Sequence, residues 1–395
     1  VALFAASPIP YRVPLYQRLA ADPQLDFTAI FASNGGIRPV EAGYSTPTAW
    51  DTDLLSGYRA MFLKRANRNP IDGGFFAFRD ADLVGWLRAG RYDVLWLWGY
   101  NYLSHQLGQI TQRLLQKPVI FHEDQNDLAP RPLWKAAAKR LGLSVMLRGS
   151  KALYVGTHNY RWYRHYGVKE RDLYFVPHAA DNERLRADAS ALVVDRANLR
   201  RRLGIRDDSG PVILSVARMI PVKQPLLLLE AFQILRASRR CTLLIVGSGE
   251  LEGAISAQVR KDQIPDVIMP GFMNQSEIAQ AYVCGDIFTL PSISETWGLS
   301  VNEAMNFGLP VVVSDKVGCA VDLVGEGENG YVIPFQSAKA LADRLGRLVD
   351  SAEMRRRFGQ ASMAKVRGWN HDVAAAGVCN AIADAVGCDR WAASH

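Results

Sequence analysis

The chain has 395 residues, 46 basic and 39 acidic side chains, a formal net charge of +7 and 49% hydrophobic residues. That composition excludes wholesale disorder and a fibrous fold, and the length predicts two or three domains. No run approaches the ~18 apolar residues of a membrane span; the longest, around Val94–Trp98 and Leu226–Phe232, suit a buried strand and an amphipathic helix.

The charge is uneven. Residues 1–185 hold 23 Lys and Arg against 16 Asp and Glu, while residues 186–395 hold 23 of each. The whole excess lies in the first half, which suits nucleic acid, an anionic membrane surface or an anionic substrate, or is simply a solvated surface.

Val1–Ala5 and Phe27–Ala32 read as strands with a helix at Pro14–Ala21 between them. Val1–Ala6 has no basic segment before it and no cleavage pattern, so no signal peptide is expected. A chain opening on Val rather than Met is expected to lack a few N-terminal residues. Asp93–Trp98, Pro118–His122, Ala152–Gly156 and Tyr174–Val176 continue the strand series. Continuous apolar runs of this length suit parallel strands buried on both faces. Residues 185–210 read as a linker with a polar helix. A second series follows, with strands at Val212–Ala217, Thr242–Val246, Val267–Met269, Asp286–Leu290 and Pro310–Val313. Helices are predicted at Gln224–Arg236, Leu251–Lys261, Gln275–Cys284 and Gly298–Phe307, and a last one at Trp369–Val386. Strands alternating with helices predict two α/β domains, each a doubly wound parallel sheet. Five cysteines (Cys241, Cys284, Cys319, Cys379, Cys388) show no metal-ligand spacing and read as small buried hydrophobes of a cytosolic protein.

Chemistry concentrates in Leu290–Pro310, which reads strand, loop, helix, then a stop at Gly308 and Pro310. The first N–H groups of that helix, on Gly298, Leu299 and Ser300, lack intrahelical partners and suit a phosphate or diphosphate. Glu295 and Glu303 flank the same point. Carboxylates there suit sugar and ribose hydroxyls rather than phosphate, although they also read as a helix-terminal charge and an exposed helix residue. Arg218 and Lys223 follow the first strand of the second series, where ligands of open α/β sheets bind. Two cations there would hold a diphosphate and stabilise it as a leaving group. Val246-Gly-Ser-Gly-Glu250 is a glycine-rich turn after a strand without the rest of a P-loop.

Residues 212–335 resemble the donor half of the family 4 glycosyltransferases. Glu295 and Glu303 match that family's E-x7-E motif, Arg218 and Lys223 its R-x4-K pair, and Val246–Glu250 its VG-x-G element. Pro270-Gly-Phe272 resembles the segment lining its base pocket. The resemblance implies the GT-B architecture of two facing Rossmann-like domains with a C-terminal helix crossing back to the first. It sets an acceptor domain at 1–184 with the returning segment 369–395, and a donor domain at 185–368.

It further implies a retaining hexosyl transfer from a nucleoside-diphosphate sugar, with UDP expected first and GDP second. Glu295 would contact donor-sugar hydroxyls, Glu303 the ribose, and Arg218 and Lys223 the diphosphate. Gly247, Gly249, Gly271, Phe272, Gly298 and Leu299 complete the expected donor contacts. No cofactor and no metal are expected. His122, in Val119-Ile-Phe-His-Glu123, is similar to the family's strand-end histidine and would lie near the reacting sugar, though a lone strand-end histidine also reads as a satisfied core residue. His178 stands where the family's linker segment carries Asn. Ser7-Pro-Ile-Pro-Tyr-Arg12 replaces a Gly-Gly loop, and proline removes N–H donors. Tyr11 and Arg12 are therefore the candidate acceptor or phosphate contacts there.

Asp51-Thr-Asp53 and Asp80-Ala-Asp82 resemble a metal-binding D-x-D but do not clearly end strands. Tyr58–Arg68 and Asn159–Tyr166 interleave apolar or aromatic residues with basic ones. They suit an anionic bilayer that displays a glycan or lipid-linked acceptor, or equally an amphipathic helix whose long side chains snorkel. The expected location is cytoplasmic, peripheral on the inner face of the plasma membrane, in bacterial polysaccharide or glycoconjugate synthesis. A transferase acting on a small metabolite is the alternative. A basic nucleic-acid-binding protein is the rival from another class, disfavoured by the neutral second half, and nucleic acid is not an expected partner.

Overall fold

The computed structural model describes residues 1–39, 49–70, 73–128 and 133–388. The chain forms two compact units. One holds the described residues up to His178 together with the segment from His371, and the other holds Ala179–Asn370.

The first unit runs β1 (Ala2–Ala5), α1 (Val13–Ala21), β2 (Thr28–Phe31), β3 (Arg59–Phe62), α2 (Asp82–Arg88), β4 (Leu95–Trp98), α3 (Leu103–Leu114), β5 (Val119–His122), α4 (Leu133–Leu147), β6 (Lys151–Tyr154), α5 (Thr157–His165) and β7 (Leu173–Phe175). Its seven strands are parallel in the order β3-β2-β1-β4-β5-β6-β7. The apolar runs of β1, β2, β4 and β5 are buried at every residue, as sheets covered by helices on both faces require.

The second unit runs α6 (Asn182–Leu192), α7 (Arg196–Arg202), β8 (Val212–Val216), α8 (Pro225–Arg236), β9 (Thr242–Val246), α9 (Glu252–Lys261), β10 (Val267–Gly271), α10 (Ile278–Cys284), β11 (Ile287–Leu290), α11 (Leu299–Asn306), β12 (Val311–Ser314), α12 (Ala320–Leu323), β13 (Gly330–Ile333), α13 (Ala338–Asp350) and α14 (Ala352–Val366). Its six parallel strands lie in the order β10-β9-β8-β11-β12-β13. Both units are therefore doubly wound Rossmann-like domains with crossovers on either side of the first strand.

The last helix, α15 (His371–Val386), belongs to the first unit and packs on α1, β6 and β7. Its small residues permit close approach: a Cβ on Gly377 would stand 2.0 Å from the Phe175 carbonyl oxygen. Arg18 bonds Asp372 at 2.6 Å, and both Lys151 and the Tyr174 hydroxyl bond Asp384.

Several sequence expectations change here. Arg59–Phe62, inside the stretch read as apolar and basic, is an edge strand whose residues are exposed or half-buried. In α5, Asn159, Trp162 and Tyr163 are buried while Arg161, Arg164 and His165 are exposed, so the aromatic side faces the core rather than a bilayer. Cys388 is exposed, unlike the other four cysteines.

The two D-x-D look-alikes serve local structure. Asp53 accepts from the N–H groups of Leu55 and Ser56. Asp80 accepts from Asn69 at 2.8 Å, and Asp82 accepts from the Lys64 N–H at 3.0 Å. No group of three or more His, Cys, Asp or Glu able to hold a metal occurs among the described residues, and none of their helices is long and apolar enough to cross a membrane.

Candidate active site

In the second unit the candidate residues gather at the carboxyl ends of β8, β9 and β11. Proline at position 221 starts a single 3-10 turn, Pro221–Lys223, which ends at Gln224 in the left-handed conformation (φ 53°). That turn aims Lys223 at the loop after β11, where its ammonium donates to the Glu295 carboxylate. Both side chains are largely buried, at 18% and 15% exposure. Burial first, and the neighbouring Arg218 charge second, pull the Lys223 ammonium down to about 8. Arg218 itself is exposed.

The Glu295 loop is held from both sides. Its N–H donates to the Lys316 carbonyl at 3.1 Å, its carbonyl accepts from Gly318 at 3.1 Å, and Ile293 N–H donates to Val222 at 2.9 Å. The segment 316–318 was missed in the sequence, because its contribution is made by backbone atoms and leaves no side-chain signature. Gly298 follows in the left-handed region at φ 101° and caps α11 without a side-chain bond. A Cβ there would press on Val317 at 3.0 Å. The N–H groups of the first α11 turn have no intrahelical acceptors and carry the positive end of the helix dipole.

Gly247 and Gly249 have a clear packing reason. A Cβ on Gly247 would lie 2.1 Å from the Ala217 carbonyl oxygen, and one on Gly249 would lie 2.6 Å from that of Met219. Ala217 and Met219 N–H groups donate to Val246 and Ser248, so the glycine turn is laced to the loop that carries Arg218. Gly271 (φ 86°) ends β10 and accepts from Gly247 N–H at 2.9 Å; Phe272 beside it is half-buried.

Glu303 lies inside α11 and is not the exposed helix residue that one reading expected. It accepts from the buried Tyr282 hydroxyl. Burial pushes its carboxyl up, partly offset by the Tyr282 bond and by Arg184. Trp297 Nε1 donates to Asn302 at 2.9 Å, which ties the Glu295 loop to the first turns of α11.

In the first unit the strand order brings the ends of β1, β4 and β5 together. His122 ends β5, is 1% exposed and stacks on Trp98 with centroids 3.9 Å apart. Neither of its ring nitrogens has a hydrogen-bonding partner among the described residues. Burial, then the charges of His178 and Arg12, hold its pKa well below the ordinary value. A neutral imidazole both donates and accepts, which suits a hydroxyl better than a phosphate.

Arg12 sits 3.6 Å over the Trp98 ring and donates to the Tyr11 hydroxyl at 3.2 Å. Tyr11 meets His178 edge-on at 5.3 Å, and His178 Nε2 is 3.4 Å from Asp124. The sequence did not single out Trp98 or Asp124. Trp98 reads as the last residue of an apolar run, and only the sheet order places it beside His122 and Arg12.

Comparisons with known proteins bear on the fold and the class of enzyme. Residues 195–365 match the family model of Glycosyl transferases group 1. The chain is 27% identical over 358 residues to the D-inositol 3-phosphate glycosyltransferase of Xylanimonas cellulosilytica, covering 84% of this chain and 83% of that protein. It is 32% identical over 187 residues to the alpha-D-kanosaminyltransferase of Streptomyces kanamyceticus, covering 46% of this chain and 47% of that one. The chain thus spans about half the length of several curated relatives it matches. Anabaena HepE, solved in complex with UDP and glucose, shares the fold with a TM-score of 0.71 at 16% identity, over 97% of this chain and 99% of HepE. The family match and the two doubly wound sheets support the GT-B glycosyltransferase superfamily.

Proposed function

We propose that this chain is a retaining glycosyltransferase that moves a hexose-type sugar from a nucleoside-diphosphate donor to an acceptor hydroxyl. The observation that carries the reading is the buried Lys223–Glu295 pair beside Arg218 and the start of α11. Two cations and a helix N-terminus suit a diphosphate and the charge that grows on it as it leaves. Glu295 and Glu303 supply acceptors for hydroxyls of the sugar and ribose; for His122, in the first unit, a hydrogen-bonding role toward the sugar rests on the family resemblance alone.

Retention is assigned to a same-face mechanism without a resident metal. The donor C1–O bond breaks, the leaving diphosphate takes the acceptor hydroxyl proton, and the acceptor oxygen bonds C1 on that face. Glu295, already accepting from the Lys223 ammonium, is a weakened nucleophile and a better hydroxyl holder. Trapping a covalent sugar on Glu295 would overturn this mechanism. UDP is the first choice of nucleotide, in keeping with the UDP bound in HepE, and GDP the second.

The acceptor is a glycan or lipid-linked saccharide of bacterial glycoconjugate synthesis, met on the cytoplasmic side. A second reading has one observation in its favour. Two of the relatives are named for D-inositol 3-phosphate and for 2-deoxystreptamine, both cyclitols, which favours a small cyclitol acceptor. A panel of nucleotide sugars scored by thermal shift, and by hydrolysis without acceptor, tests the donor. Competition between cyclitol phosphates and lipid-linked saccharides then separates the acceptors.

A further inference from the structure

The first unit exposes large apolar side chains on two neighbouring helices. On α3, Ile110 and Leu114 stand one turn apart with 54% and 76% exposure, and on α4, Leu141 and Val145 repeat the spacing at 72% and 63%. Residues four apart share one helix face. The helices are tied together: Gln109 Nε2 donates to the Met146 carbonyl, and Arg113 donates to the carbonyls of Met146 and Arg148 at 2.6 and 2.9 Å. The two apolar ladders thus lie on adjacent helices, with the Arg113 guanidinium at their junction. Scattered exposed apolar residues need no explanation, but four on neighbouring helices at helical spacing do.

The charge on the two helices themselves is of one sign. Neither α3 nor α4 contains a carboxylate. Residues 94–122 carry no Asp or Glu, and residues 128–169 carry none either while holding nine Lys and Arg. Arg140 and Arg148 are exposed on and just after α4. Lys139 stands over the Trp162 ring at 5.3 Å, which links the α5 surface, with its exposed Arg161 and Arg164, to the same region.

We propose that the α3–α4 face of the first unit docks on an anionic lipid bilayer. Ile110, Leu114, Leu141 and Val145 would enter the interface, and Arg113, Arg140 and Arg148 would meet the headgroups. Apolar insertion and attraction to anionic lipid act together in such interfacial binding. The charge complementarity selects this occupant, because a second copy would set the cations of α3 and α4 face to face with no carboxylate on either helix to compensate them. The face differs from both stretches that the sequence offered for membrane contact. Docking also needs no donor or acceptor, so it stands or falls separately from sugar transfer.

The test is flotation of the whole chain with vesicles of pure phosphatidylcholine, or with about 30% phosphatidylglycerol added. Binding is expected only to the anionic vesicles, weakening about fivefold for each of Arg140→Gln and Arg148→Gln and falling as salt shortens the Debye length to ~3 Å near 1 M. Leu114→Gln with Leu141→Gln, at exposed positions, should abolish binding at unchanged Tm and unchanged hydrolysis of the validated nucleotide sugar. Equal binding to both vesicle types, or full binding by the leucine variant, overturns the proposal. So does a dimer in light scattering that the leucine variant disrupts, since the face would then belong to a second copy.

Discussion

The Lys223 ammonium donates to the carboxylate of Glu295, 72 residues further along the chain, and both side chains are withdrawn from water. The pair joins the R-x4-K and E-x7-E elements into one charged centre. Removing one partner strands the other. On the proposed reading, Lys223→Ala should weaken nucleoside-diphosphate binding by at least ~30-fold, because it would delete a phosphate contact and leave a buried carboxylate beside the anion. Adding Glu295→Gln should restore part of that loss. Calorimetric titration of UDP against the two single variants and the double variant measures the coupling; additive effects would mean the pair does not act on the nucleotide.

The Lys223 ammonium is pulled down to about 8 by burial and Arg218. A bound diphosphate favours the charged form and raises that value again. Binding above pH 8 must therefore take up a proton, so the nucleotide Kd should be flat below pH 8 and rise up to about tenfold per unit above it. Lys223→Arg should remove the rise, since a guanidinium stays charged. A flat profile to pH 9.5 in the wild type counts against Lys223 as the phosphate cation.

Glu303 has its carboxyl pushed up by burial while Tyr282 donates to it. Tyr282→Phe removes the group that favours the ionised form, so the carboxyl should rise further. A raised folded pKa means that stability is held below the unfolded value near 4.5 and lost as pH rises through the folded one. The variant should lose about 1–2 kcal/mol at pH 7.5 and much less at pH 4.5. Thermal melts at the two pH values check this; a loss independent of pH would point to packing alone.

His122 stacks on Trp98 and leaves both nitrogens for hydrogen bonding. His122→Phe keeps the stack and removes the nitrogens. Tm should hold or rise, while kcat/KM for the nucleotide sugar should fall about 10–100-fold, the value of one or two lost hydrogen bonds to substrate. Full activity would return His122 to the role of a core residue.

Much of this architecture was legible because parallel strands buried on both faces write themselves as apolar runs. Two of the four edge strands, β3 and β13, do not, although β7 and β10 were read as strands. Arg59–Phe62 is half exposed and mixes Arg with Met and Phe, so its pattern reads as an amphipathic surface segment. Gly330–Ile333 at the other sheet's edge likewise gave too short a run to separate from the turn before it. In the candidate site, Arg218, Lys223, Glu295 and Glu303 were visible because charged side chains at fixed spacing are a sequence signal. The Lys316–Gly318 backbone brace was invisible, since carbonyls and N–H groups have no identity. Trp98, Arg12 and His122 meet only because β1, β4 and β5 are adjacent in the sheet, and no local spacing encodes that adjacency.

Turnover of Arg218→Ala and Glu295→Gln with a validated nucleotide sugar tests the central claim most directly. Each should lose at least ~100-fold in kcat/KM, in line with removing a group that stabilises transition-state charge or holds the sugar, and Arg218→Ala, at an exposed residue, should also retain normal Tm. Near-full turnover by both variants would contradict the assignment of this centre as the donor site.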